Sequence, residues 1–152
     1  MAKHAVLSAS GAHRWLECTP SARLEENFED RPSESAKEGT LAHAIAEAKV
    51  RNMLIDPLPK RSFNKILKDF TNNSMYRKEM DALTDEYAEY IRSIVLSYAQ
   101  KPYIAVEVKL DLSAYIPEGF GTADCIIISG NELHIVDLKY GKNVPVSAED
   151  NP

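Results

Sequence analysis

Apolar positions in this chain first recur at helical spacing and then, past residue 102, alternate with polar ones. Leu41, Ala44, Ile45 and Ala48 fall three and four apart, which predicts a helix over about Ala36 to Leu54, capped by Ser33 or Ser35. Gly39 within it is costly relative to alanine and points to a close approach or a kink. Asp56-Pro57-Leu58-Pro59 breaks the chain. Phe63, Ile66, Leu67 and Phe70 then outline a short amphipathic helix that also carries Lys60, Arg61, Lys65 and Lys68. A solvated face is favoured for these bases over a phosphate-tracking patch. Asn72-Asn73-Ser74 is a turn, and Met80, Leu83, Tyr87, Ile91, Ile94 and Tyr98 predict a second long helix from Met75 to about Gln100, with its aromatics as core. Ahead of these, Met1 to Ser8 is extended or loose. One short helix is expected from Ser8 or Ser10 to about Glu17, with Trp15 and Leu16 inward, and another carries Leu24 and Phe28. A polar loop from Glu29 to Ser35 follows.

Tyr103 to Leu112 alternates Val106, Val108 and Leu110 with Glu107, Lys109 and Asp111, the mark of a strand. After a loop from Ala114 to Glu118, Thr122–Ile128 and Leu133–Lys139 flank Ser129-Gly130-Asn131-Glu132. Gly-Asn between two apolar runs signals a two-residue hairpin. That loop sets Ser129 opposite Glu132, Ile128 opposite Leu133, Ile126 opposite Ile135 and Asp124 opposite Asp137, all on one face, with Lys139 two residues further along it. Val144-Pro145-Val146 is a crossover, and Ser147 to Asp150 carries the start signature of a further helix.

Directly opposed carboxylates stand about 4.5–5.5 Å apart at Cβ and repel. Beside a stripe of Ile and Leu each also loses water. A divalent cation relieves both costs, and oxygen ligands from aspartate suit a hard ion such as Mg²⁺. Lys139 adds a donor for a water or for charge developing on phosphate. The blander account makes Asp137 and Lys139 a surface ion pair on a sheet rim; the opposed Asp124 shifts the balance towards a hydrolytic site for phosphodiesters. His43 and Glu47, four apart, share a helix flank as either a structural pair or a ligand with its neighbour. Glu107 is an extra ligand or an outward charge, and a solvated charge is the better reading of it alone.

The 152 residues fit a single domain with a real core. A net charge of −5 argues against wholesale capture of nucleic acid on a basic face, yet suits a nuclease whose acids a cation neutralises. Cys18 and Cys125 offer neither a disulfide framework nor a zinc spacing. No stretch is long and apolar enough to span a membrane and no signal-peptide core is present, so a cytoplasmic protein is expected. His13, Arg14 and Trp15 could stack on nucleic acid, but Trp15 as a core anchor is favoured.

Three segments carry a family resemblance: LSASGAHRWLECTPSARLE from Leu7, EGTLAHAIAE from Glu38, and GTADCIIISGNELHIVDLKYG from Gly121. Together they resemble the RecB-like branch of the PD-(D/E)XK nuclease superfamily, and most closely an uncharacterised phage and prophage family, a domain of unknown function. The resemblance spans nearly the whole chain. It implies an α+β fold in which a central mixed sheet with a catalytic hairpin is flanked by helices. It implies Asp124 and Asp137 as metal ligands, Lys139 as the catalytic base-positioning or charge-stabilising residue, and His43 as a further ligand, with Mg²⁺ or Mn²⁺ as the cofactor. Glu107, Glu47 and Tyr140 are secondary candidates. RecB-like nucleases continue with a helix bearing Gln and Tyr; the chain stops where that helix is expected, and Tyr140 is not its replacement. Some relatives hold an iron–sulfur cluster on four cysteines, but with only Cys125 besides Cys18 none is expected here. The implied activity is a metal-dependent DNase, an exonuclease in phage recombination or DNA processing. Its substrate is linear duplex or single-stranded DNA, and a phage recombination partner is implied. The alternatives are an inactive nuclease-fold module that binds DNA ends or a protein partner, and a phage protein acting on host defence.

Overall fold

Ser33 opens the helix on which the molecule is assembled. Its backbone is extended and its side chain accepts the N–H of Ala36 at 3.1 Å, with Glu34 in the first turn. In the computed structural model, which describes residues 6–7, 11–28, 32–117 and 119–141, the elements run α1 (Ala12–Glu17), α2 (Pro20–Glu25), α3 (Glu34–Val50), a π-helical turn (Arg51–Ile55), α4 (Lys60–Thr71), α5 (Glu79–Leu96), β1 (Tyr103–Asp111), β2 (Phe120–Ser129) and β3 (Glu132–Val136). Helices followed by a three-stranded antiparallel sheet of order β1-β2-β3 make an α+β fold. The serine caps at 8 and 10, the start of the polar loop at 29–31, and the crossover and helix start at 144–150 lie outside the described residues.

The chain divides into two compact units. The first combines residues 1–31, 109–122 and 143–152. Within it, Arg14 of α1 pairs with Glu25 of α2 at 2.7 Å, and Lys109 Nζ sits 4.2 Å over the Phe120 ring. Trp15 is half-buried, but Leu16, Leu24 and Phe28, expected inward, are exposed. Six-residue helices present too narrow a face to shield them, and it is Ala12 and Ala22 that are buried.

The second unit, residues 32–108 and 123–142, holds the core. The buried face of α3 is Leu41, Ala42, Ile45, Ala46, Lys49 and Val50, rotated from the expected stripe because Ala42 and Ala46, having little bulk, can meet α5 closely. Lys49 is buried there, donating to the Asp81 carbonyl at 2.9 Å and pairing with Asp85 at 2.6 Å. Helix α5 starts at Glu79 rather than Met75, because Asn73 holds the preceding turn by accepting the Met75 N–H on its side chain and the Tyr76 N–H on its carbonyl. Its buried residues are Met80, Thr84, Ala88, Ile91 and Val95, with the Thr84 hydroxyl satisfied by the Met80 carbonyl at 2.6 Å; Leu83, expected inward, is exposed.

The hairpin register is as the Gly-Asn loop predicts: Ser129↔Glu132, Ile128↔Leu133 and Ile126↔Ile135, with the ladder reaching Cys125↔Val136. Gly130 takes φ +57° while Asn131 stays on the negative side, the residue pattern of a type II′ turn. Cys125 and Ile127 face the core with Val50, Ala88, Ile91, Val95 and Val106. The opposite face carries Ile128, Leu133 and Ile135, and the last two are 59% and 62% exposed. The apolar stripe beside Asp124 therefore does not desolvate it. No helix among the described residues is long and apolar enough to cross a membrane.

Candidate metal centre

Three elements bring three ligating side chains to one point. Ala42 and Ala46 lock α3 into the core, which leaves His43 on the flank facing the sheet. On β2, Asp124 lies out of phase with the buried Ala123 and Cys125. Glu107 comes from β1. His43 Nδ1 stands 3.3 Å from Asp124 Oδ1 and 3.6 Å from Glu107 Oε1, and one ligand atom of each residue lies within 4.8 Å of the others. Ala46, Glu47, Tyr87, Val106 and Leu138 complete the walls of this pocket of about 180 Å³.

Glu107 reaches it by an irregularity of the strand. Its φ is +50°, alone among the described non-glycine residues in being positive. Such a backbone costs about 1–3 kcal/mol and persists only where its surroundings enforce it. Perfect alternation sets Glu107 opposite the buried Val106 and into solvent. The twist instead leaves its carboxylate beside His43 and only partly exposed.

The electrostatics are tightly coupled. The hydrogen bond to Asp124 raises the His43 pKa above its ordinary value against the effect of burial, aided by the charges of Asp124, Glu107 and Asp137. Burial pushes Asp124 up, but the hydrogen bonds from His43 and from the Leu138 N–H outweigh it and leave Asp124 below the usual carboxylate range. Glu107 is raised by burial and then by the charge of Asp124. A proton on His43 thus balances two carboxylates. One imidazole nitrogen and two carboxylate oxygens at this spacing also fit a divalent cation such as Mn²⁺ or Mg²⁺, which would supply the same balance.

Other expected site residues lie around this cluster. The ladder ends at Cys125↔Val136, and the next N–H, that of Leu138, turns to Asp124 Oδ2 at 2.6 Å. Asp137 therefore does not continue the ladder opposite Asp124. Its side chain is 53% exposed and pairs with Lys139, itself 67% exposed, at 2.9 Å. Glu47 lines the pocket while accepting from Arg51 Nε at 2.7 Å. Tyr140 packs against the cluster of Leu41, Ala42, Ile45 and Met80. A Cβ on Gly39 would lie 3.8 Å from the Tyr140 carbonyl oxygen, an ordinary contact, so this approach alone does not demand glycine.

Sequence reasoning missed Tyr87 as a site residue. Its hydroxyl donates to the Val136 carbonyl at 3.1 Å, and burial raises its pKa so far that it remains a donor throughout the working range. Helical spacing marked it as core, and nothing in the sequence distinguishes a core tyrosine from one whose hydroxyl grips a strand end.

No solved structure matches the chain. Residues 4–152 match a family described as protein of unknown function, DUF2800. With nearly its whole length matched, the chain belongs to the DUF2800 family.

Proposed function

We propose that this protein is a metal-dependent deoxyribonuclease of the PD-(D/E)XK type, acting on DNA in the cytoplasm of a bacterial host during phage recombination or DNA processing. The observation that carries the reading is the convergence of His43, Glu107 and Asp124 beside the strand end bearing Asp137 and Lys139. His43 and Asp124 would hold the ion. A bound Mg²⁺ or Mn²⁺ would supply Lewis-acid polarisation of the scissile phosphodiester. Lys139, exposed at the lip of the site, orients a water or stabilises charge developing on phosphate, and Asp137 restrains its ammonium until substrate arrives. Leu138 N–H on Asp124 and Tyr87 on Val136 fix the strand end between them.

Incubation with linear and circular DNA in Mg²⁺ or Mn²⁺ tests this, with Asp124→Ala and Lys139→Ala alongside. Metal-dependent degradation is expected from the parent protein and from neither variant. Degradation undiminished in both variants, or absent from the parent in either metal, refutes it. The Asp137–Lys139 pair favours a second reading, since two side chains that neutralise each other at the surface suit binding better than turnover. In that case the protein is an inactive module for DNA ends or for a protein partner, including one in host defence, and shows DNA or partner binding without cleavage.

A further inference from the structure

We infer that Glu107 is a direct ligand of the metal ion, and that Asp137 is not a ligand but the restraint on Lys139. The inference rests on the metal-dependent reading above and assigns the coordination set within it. Two features of Glu107 are unfavourable in the metal-free protein. Its backbone occupies a region that side-chain-bearing residues avoid, although glycine or asparagine would adopt it at lower cost. Its carboxylate is also held in a pocket that already contains Asp124, with His43 between them. A charge meant only for solvent needs neither, because regular alternation would deliver it to water. Both make sense if the strand is shaped to present a carboxylate to a cation.

Asp137 has the opposite profile. It lies past the last paired residues of the hairpin, is more exposed than Glu107, and is paired with an ammonium group. It also falls outside the group of ligand atoms that lie within 4.8 Å of one another. The set is then one nitrogen and two oxygens from α3, β1 and β2, in a pocket closed by Tyr87 and Leu138.

Electron paramagnetic resonance of Mn²⁺ titrated into the full chain measures this directly, because only free aquo-Mn²⁺ gives the sharp signal. Circular dichroism melts establish which variants are folded. Glu107→Gln should weaken Mn²⁺ binding at least about tenfold, the scale on which supporting groups of metal sites act. Glu107→Gly, which relieves the backbone, should lose affinity equally while remaining folded. Asp137→Asn should change affinity by no more than about fivefold, the scale of an exposed ion pair. The assignment is overturned if folded Glu107→Gln binds as the parent does, if Asp137→Asn loses the ion instead, or if the parent binds no Mn²⁺. DNA cleavage measured in parallel separates the two proposals. Glu107-dependent binding without cleavage upholds the ligand set and removes the nuclease reading. Cleavage with parental Mn²⁺ affinity in Glu107→Gln removes the ligand set alone.

Discussion

Replacing Tyr87 by phenylalanine deletes one hydroxyl and leaves the ring packed against the Val50, Ile91 and Cys125 cluster. What is lost is the 3.1 Å hydrogen bond to the Val136 carbonyl, the last β3 residue before Asp137-Leu138-Lys139. The net value of such a bond is about 0.5–1.5 kcal/mol, and the carbonyl left behind adds up to about 1–3 kcal/mol where water cannot reach it. Val136 is partly buried, so a destabilisation of about 1–2 kcal/mol is expected. At about 2–4 °C per kcal/mol for a domain of this size, the melting temperature should fall by roughly 2–8 °C. Tyr90→Phe is the control, since that side chain is exposed. It should stay within about 0.5 kcal/mol of the parent. Amide hydrogen exchange tests the positional claim. The Leu138 N–H, bound to Asp124, should exchange faster in Tyr87→Phe, because the strand end has lost one of its two anchors. Unchanged Leu138 exchange together with an unchanged melting temperature would show that the hydroxyl positions nothing.

The metal-free protein should show a pH-dependent stability with two limbs. His43, raised by Asp124, stabilises below its unfolded pKa of about 6.5, and that contribution is lost as pH rises through its higher folded pKa. Asp124, lowered overall, stabilises above about 3.9, and that contribution is lost as pH falls through its lower folded pKa. Chemical denaturation across pH should show the upper limb disappear in His43→Gln; a limb that persists assigns it to another group. Mn²⁺ affinity should run the other way, rising with pH as the ion displaces the His43 proton, and a flat profile would contradict the shared site. Gly130→Ala places a Cβ at φ +57° and should cost about 1–2 kcal/mol in thermal melts; no loss would mean that the turn relaxes. Lys139→Met breaks only an exposed pair, so it should alter stability by at most about 1 kcal/mol while abolishing DNA cleavage.

The hairpin was legible because its register depends on two loop residues and a period of two, both visible in the chain. Helix α3 was legible through Ser33, although not its rotation, which is set by how closely Ala42 and Ala46 approach α5. Asp124 and His43 could be proposed from motif and spacing. Glu107 could not be promoted, because a positive φ in a glutamate is a tertiary outcome with no local signature. For the same reason the opposition of Asp124 and Asp137 was extrapolated one pair too far. The pattern of apolar residues continues, but the Leu138 N–H exchanges a ladder partner for a side chain. The exposure of Leu133 and Ile135 was hidden as well, since alternation distinguishes two faces without saying which one is covered.

Positions 43, 107 and 124 belong to three separate elements, so no short stretch of denatured chain can chelate an ion as the native fold does. An ion held there would act as a thermodynamic clamp on the whole of this unit. At a free concentration one hundred times its dissociation constant it would add about 2.7 kcal/mol to unfolding. The lifetime of the protein in a cell would then follow the local supply of manganese or magnesium, and a simple melting curve with and without the ion would serve as a binding assay before any substrate is known.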